Sequence, residues 1–175
     1  DRIVVLSGPN HAEEVGLGLP AATVAASEVP EAVQIVQDVF MRPVFRVYRS
    51  DDIRGVEYGG ALKNIVALAC GVQDGIGLGD NCVATCTSTH SRNHRAGLML
   101  GKGKTAKEIC EGTHMVVEGM RTAFLVNEIA RREHIDMPIT EEVCRLLEGE
   151  HTAQEALENL MTRAKKAEIE TYLEP

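Results

Sequence analysis

Three groups of residues in this chain have types and spacings that could do chemistry. Lys63 is the only charge between Glu57 and Asp74, in a stretch that reads as a helix yet carries Gly59, Gly60 and Gly71 among small apolar residues. A lysine in apolar surroundings loses part of the hydration that favours its ammonium form, which suits it to exchanging a proton with a substrate. Glycine costs a helix interior ~1 kcal/mol relative to alanine, so its recurrence here implies that something approaches the backbone closely. The plainer reading is a lysine stem lying along a packed helix with its head in water. The second group is Ser7-Gly8-Pro9-Asn10-His11-Ala12, a turn that ends an apolar run. At the carboxyl edge of a parallel sheet such a turn offers backbone N–H groups to a ligand; an ordinary strand-to-helix turn is the equal alternative. The third is Thr87-Ser-Thr-His-Ser91-Arg92-Asn93-His94-Arg95, where hydroxyls precede a helix start and a guanidinium falls in its first turn. That combination is a ready phosphate site, set against a capped and solvated helix start.

The elements that must position these groups follow from periodicity. Residues 2–7 and 21–27 read as short buried strands, and residues 44–49 alternate like a third. Between them, residues 11–17 and a stretch opened by Val29-Pro30-Glu31 read as helices, the second with proline near its first turn and Val33, Val36 and Phe40 on its apolar face. Strand–helix–strand–helix–strand is the order of an α/β unit. After Ser50 the pattern changes: Asp51-Asp52 caps a long helix through residue 71, residues 75–81 form a glycine-rich loop, and helices follow over 92–100, 105–111, 118–133, 140–149 and 152–164. Met120, Phe124, Val126 and Ile129 make one apolar face, and Val143, Leu146 and Leu147 another. Thr152-x-x-Glu155 has capping-box spacing, and Thr140 reads as an N-cap after Pro138. The charged tail from Lys165 reads as fraying. The fold expected is α/β over 1–50 followed by a mainly α-helical domain over 51–175.

Composition narrows the possibilities. The 175 residues are 44% hydrophobic but only 3% aromatic, with no Trp, so the core is built from aliphatic side chains. A net charge of −8 argues against a basic nucleic-acid surface. Cys70, Cys82, Cys86, Cys110 and Cys144 are odd in number and form no CxxC, so free thiols in the cytoplasm are expected. Zinc held by Cys82, Cys86, His90 and His94, which lie four apart, is the weaker reading. No apolar run reaches the ~18 residues of a membrane span and the start has no signal-peptide pattern. The chain opens in a strand without Met and reads as a fragment.

Taken together, Ser7-Gly8-Pro9, Gly60-Ala-Leu-Lys63-Asn64-Ile-Val-Ala, Asp74-Gly-Ile-Gly-Leu-Gly-Asp-Asn81, Thr85-Cys-Thr-Ser-x-x-Ser91-Arg92-Asn93, Gly97-x-x-Leu-Gly101-x-Gly103-Lys104, Val116-Val-Glu118-Gly119 and Met137-Pro138-Ile139-Thr140 form one ordered set. The chain closely resembles the bacterial-type NAD(P)-dependent glycerol-3-phosphate dehydrogenases from Ile3 to about Arg163. The resemblance implies the end of a dinucleotide-binding Rossmann domain, then a substrate domain of the 6-phosphogluconate dehydrogenase C-terminal-like helical fold. It implies reversible reduction of dihydroxyacetone phosphate to sn-glycerol 3-phosphate for phospholipid synthesis, with NAD or NADP as cofactor, in the cytoplasm. Lys63 matches the proton-transferring lysine; Gly8, Asn10, Lys63, Asn64, Ser91, Arg92 and Asn93 match substrate-binding positions, although the family more often has Ser or Thr where Asn10 stands. Ala12, Arg92, Val116 and Glu118 match cofactor-contacting positions. No metal is implied, and apolar helix faces leave room for a homodimer.

Two departures stand out. The GxGxxG-bearing half of the Rossmann domain is absent, as is the family's second substrate-binding lysine. Between Asn81 and Thr85 the family has further helices, including one Gly-Asp motif whose Asp binds substrate; that Asp has no counterpart, and Asp80 carries no assigned role. A segment is expected to be missing near 83–85. Alone, the 175 residues are expected to be inactive. Two other readings remain: a non-catalytic helical binding or dimerisation module, and a related Rossmann-plus-helical dehydrogenase of the ketopantoate or 6-phosphogluconate kind.

Overall fold

A computed structural model describes residues 3–10, 12–78, 91–112 and 117–164. The α/β part runs β1 (Val5–Ser7), α1 (Ala12–Gly16), β2 (Ala21–Ala26), α2 (Pro30–Phe40), β3 (Phe45–Ser50). β2 and β3 pair in parallel from Ala21 opposite Phe45 to Ala26 opposite Ser50, with α2 as their crossover. β2 is almost all alanine, and Ala25 and Ala26 are fully buried, so neighbouring elements can close on the strand from both sides. Pro30 sits in the first turn of α2, as expected, and Gln37 donates to the Val47 carbonyl at 2.8 Å, tying helix to sheet. Val33 packs in a small core with Ala25 and Val47, Val36 beside it, but Phe40 lies outside that core and is exposed.

β1 pairs with β2 antiparallel, Val5 opposite Ala26 and Ser7 opposite Val24. Among the described strands, the turn after Ser7 therefore lies beside the amino ends of β2 and β3. The reason is the partner: a strand's direction is set by the ladder it joins.

α3 (Ile53–Gly75) is the axis of the rest. Asp52 caps it by accepting from the Gly55 N–H at 2.8 Å, and the helix continues one turn beyond the expected end at residue 71. Ile65, Leu68 and Val72 face a core completed by α4 (Arg92–Gly101), α5 (Ala106–Gly112), α6 (Glu118–Arg132), α7 (Pro138–Glu148) and α8 (Ala153–Met161). α3 touches α4, α6, α7, α8, β1 and β2. On α6, Met120, Ala123 and Ala130 are buried while Phe124 is exposed, so the narrow face of the helix is toward α3. Thr140 is not a cap: Pro138 takes the first turn of α7 after Met137, and Thr140 is buried inside the helix. The capping box at Thr152 and Glu155 is present, and Thr105 and Glu108 make a second one ahead of α5.

Four glycines decide how α3 and α4 meet. A Cβ on Gly75 would stand 2.6 Å from the Leu98 carbonyl oxygen. One on Gly71 would strike the His94 carbonyl oxygen, one on Gly97 that of Leu68, and one on Gly101 that of Val72. The contacts climb together on both helices, so the pair runs parallel with backbones touching.

The thiols divide. Cys110 and Cys144 are free, but Cys70 is disulfide-bonded, against the expectation of free thiols throughout. Burial, reinforced by Glu148, pushes the Cys144 thiol up to about 11. Cys82, Cys86 and His90 lie outside the described residues, as does the tail from Lys165. Among the described residues no helix is long and apolar enough to cross a membrane.

Candidate active site

The site forms where α3 passes the first turns of α4 and α6. Asn64 lies in the middle of α3. Ser91 is the N-cap of α4, accepting from the His94 N–H at 3.3 Å, which puts Arg92 and Asn93 in the first turn. Val117 precedes α6, which puts Glu118 and Gly119 in its first turn, where the helix dipole favours the acid.

These residues close a ring of hydrogen bonds. The Gly119 N–H donates to Asn93 Oδ1 at 2.8 Å. Asn93 Nδ2 donates to Asn64 Oδ1 at 3.1 Å. Asn64 Nδ2 donates to Glu118 Oε2 at 3.4 Å. Glu118 and Gly119 share a peptide bond, so the ring ends where it began. Gly119 must be glycine: a Cβ there would stand 2.7 Å from the Asn64 carbonyl oxygen and 2.8 Å from Asn93 Oδ1. Its place in the Val116-Val-Glu118-Gly119 motif was the available signal, but a glycine's neighbours on two other helices leave no mark in its own sequence.

One residue beyond Asn93, His94 Nε2 lies 2.7 Å from Asp74 Oδ2, both side chains 13% exposed. This pair pins the first turn of α4 to the last turn of α3. Asp74 Oδ1 is buried with no hydrogen-bond partner among the described residues. The sequence marks Asp74 within a motif without a role and offers His94 only as a zinc ligand in the weaker reading, so their pairing is not foreseen.

Lys63 precedes Asn64 on α3 and is exposed, not embedded in apolar surroundings as the helix composition suggests. The turn at Gly8 is drawn to the same helix: a Cβ on Gly60 would stand 2.9 Å from Ser7 Oγ. Gly8 itself has no room for a side chain, with the Ala22 carbonyl oxygen 2.5 Å from where a Cβ would sit. Asn10 holds that turn, its N–H donating to the Gly8 carbonyl at 2.9 Å and its Nδ2 to the Ala22 carbonyl at 3.2 Å. Arg92 and Glu118 are exposed at two helix N-termini, which suits a guanidinium and a carboxylate to the phosphates and hydroxyls of a nucleotide. Ala12 is exposed at the start of α1, apart from the ring, and Val116 lies outside the described residues. An apolar cleft of about 280 Å³ between α3 and the start of α7, lined by Leu62, Val66, Met137 and Ile139, contains none of the candidate residues.

The comparisons with known proteins agree on one family. Residues 1–33 match the family described as NAD-dependent glycerol-3-phosphate dehydrogenase N-terminus, and residues 52–84 and 81–158 match its C-terminus counterpart in two pieces that overlap. A glycerol-3-phosphate dehydrogenase [NAD(P)+] of Moorella thermoacetica is 44% identical over 206 aligned positions, covering 98% of this chain and 62% of that protein. Its counterpart in Clostridium perfringens is 43% identical over 203 positions, covering 96% and 61%. The crystal structure of glycerol-3-phosphate dehydrogenase from Coxiella burnetii superposes with a TM-score of 0.84 at 32% identity, over 91% of this chain and 60% of that one. A glycerol-3-phosphate dehydrogenase structure from Saccharomyces cerevisiae gives 0.73 at 25% identity, over 87% and 57%. The chain therefore spans about three fifths of the length of the curated relatives it matches.

Proposed function

Because the chain belongs to the NAD-dependent glycerol-3-phosphate dehydrogenase family, with the end of a Rossmann-like domain followed by a helical one, we propose that its residues serve the reversible reduction of dihydroxyacetone phosphate to sn-glycerol 3-phosphate. The observation that carries this reading is the hydrogen-bonded ring that brings Asn64, Asn93 and Glu118 together next to Lys63. NADH or NADPH, when bound, supplies the hydride; Ala12, Arg92, Val116 and Glu118 would hold it.

Lys63 works as the proton-transfer group. Its ammonium gives a proton to the oxygen developing on the substrate's C2, and its neutral amine takes that proton back when glycerol 3-phosphate is oxidised. Asn64 orients the reacting carbon. Ser91, Arg92 and Asn93 bring a guanidinium and the N–H groups of a helix start to the substrate phosphate, and the Gly8–Asn10 turn closes the other side through Ser7 and Gly60.

The proposed division is a nucleotide-binding part over 1–50 and a substrate-binding part over 51–175. A segment present in the relatives is absent near 83–85; the two overlapping pieces of the C-terminal match, and alignments longer than the 175-residue chain, support this. Cytoplasmic location and a homodimer belong to the same proposal, tested by cell fractionation and by sedimentation.

The test is Lys63→Ala in the protein at full length, followed by oxidation of NADH or NADPH on adding dihydroxyacetone phosphate. A fall in kcat of about 100-fold or more is expected. Turnover within tenfold of the parent overturns the assignment of Lys63. A parent that ignores dihydroxyacetone phosphate overturns the reaction itself.

A further inference from the structure

The ring at the helix crossing has a polarity that nothing in it can reverse. A backbone N–H only donates and a carboxylate only accepts, and these are the two ends of the circuit at Gly119 and Glu118. With the Gly119 N–H against Asn93 Oδ1, the amino end of Asn93 must face Asn64. With Asn93 donating, Asn64 must offer its oxygen there and its amino end to Glu118. Turning either carboxamide over would set N–H against N–H at one end, or oxygen against oxygen at the other.

We propose that Glu118 is a positioning residue for Asn64: while Asn93 holds the oxygen end of the Asn64 carboxamide, the Glu118 carboxylate holds its amino end in place for the substrate. This rests on the reaction proposed above and adds a role to a residue matched there only to the cofactor. Each Asn amino group has two N–H bonds, and the ring uses one. What Asn64 keeps at its Glu118 side is therefore a donor, and it is matched to an acceptor oxygen on the substrate, the carbonyl of dihydroxyacetone phosphate or a phosphate oxygen. Gly119 contributes by absence, since a side chain there would strike the Asn93 carboxamide oxygen and the Asn64 main-chain carbonyl and push α6 away. A simple staple joining three helices would also hold these residues together, but it would not care which end of Asn64 points where.

Two substitutions separate the roles. Glu118→Ala removes the acceptor for the Asn64 amino group and leaves Asn93 alone to hold the carboxamide; Glu118→Gln keeps one acceptor oxygen while the charge is lost and the other oxygen becomes an amino group. In the full-length protein at saturating cofactor, Glu118→Ala is expected to raise the KM for dihydroxyacetone phosphate about tenfold, with Glu118→Gln within about twofold of the parent. Nitrogen-15 spectra of the Asn64 side-chain amide supply an independent reading: its two proton signals should be well separated in the parent and in Glu118→Gln, and drawn together in Glu118→Ala. The proposal is overturned if Glu118→Ala leaves both KM and the amide signals unchanged, or if Glu118→Gln behaves like Glu118→Ala. A parent without activity on dihydroxyacetone phosphate refutes the proposed reaction instead, and the amide signals then still decide whether Glu118 orients Asn64.

Discussion

Both ends of the Asn93 carboxamide are engaged by protein, one by the Gly119 N–H and one by Asn64 Oδ1. Removing it strands a donor on α6 and an acceptor on α3. Asn93→Ala is therefore expected to destabilise the fold by about 2 kcal/mol, since an unsatisfied buried partner costs roughly 1–3 kcal/mol; urea unfolding measures it. At this scale the sequence carried much of the site. Lys63, Asn64, Arg92 and Asn93 were marked by residue type and by their place on or at the start of a helix. The apolar setting expected for Lys63 was misleading, because small residues on a helix say nothing about which neighbour covers them. The packing of Gly119 and the pairing of His94 with Asp74 could not be read from sequence, since each acts against an element distant along the chain.

Helix starts were read well where a local rule sets them. Pro30 and Asp52 stand where expected, and Thr152 and Glu155 satisfy each other's backbone N–H groups. The Thr105-x-x-Glu108 box has the same spacing and was equally readable. Thr140 misled because Pro138 is the stronger start signal: its fixed φ suits the first turn and its missing N–H costs nothing there. The direction of β1 could not be read, since three residues carry no record of their partner. The boxes also set an acid limit. The Thr152 backbone N–H, then its hydroxyl, hold the Glu155 carboxyl below its ordinary value, and Thr105 does the same for Glu108. The unfolded chain then binds more protons than the folded one below about pH 4, so the stabilisation is present above that range and lost as pH falls through the lowered values. Thr152→Ala is expected to reduce Tm by about 3 °C at neutral pH, with the gap to the parent narrowing on acidification; thermal melts at a series of pH values check both parts.

For the whole molecule, the α/β part leaves much apolar surface uncovered. Ile35, Val39 and Phe40 on α2, with Ile3 and Leu6 near β1, are exposed, while the relatives continue for about two fifths of their length beyond what this chain matches. The 175 residues by themselves are expected to show no dehydrogenase turnover with dihydroxyacetone phosphate and either NADH or NADPH. Activity within tenfold of a full-length relative would mean that the nucleotide is held by residues other than those matched here. The change from α/β to all-helical near residue 50 was readable from periodicity alone, because hydrophobic spacing switches from strand-like to helical there. The parallel course of α3 and α4 was not, since it depends on backbone contact between glycines far apart in sequence.

That backbone contact has a consequence for how the chain tolerates editing. Gly71, Gly75, Gly97 and Gly101 register the two helices by shape alone, so the seam holds itself together whatever joins its ends. Each doubling of a flexible connection costs only about 0.6 kcal/mol, little beside the contact of two whole helices. An insertion between α3 and α4 is therefore expected to leave Asn64, in the middle of α3, and Asn93, at the start of α4, in step with each other.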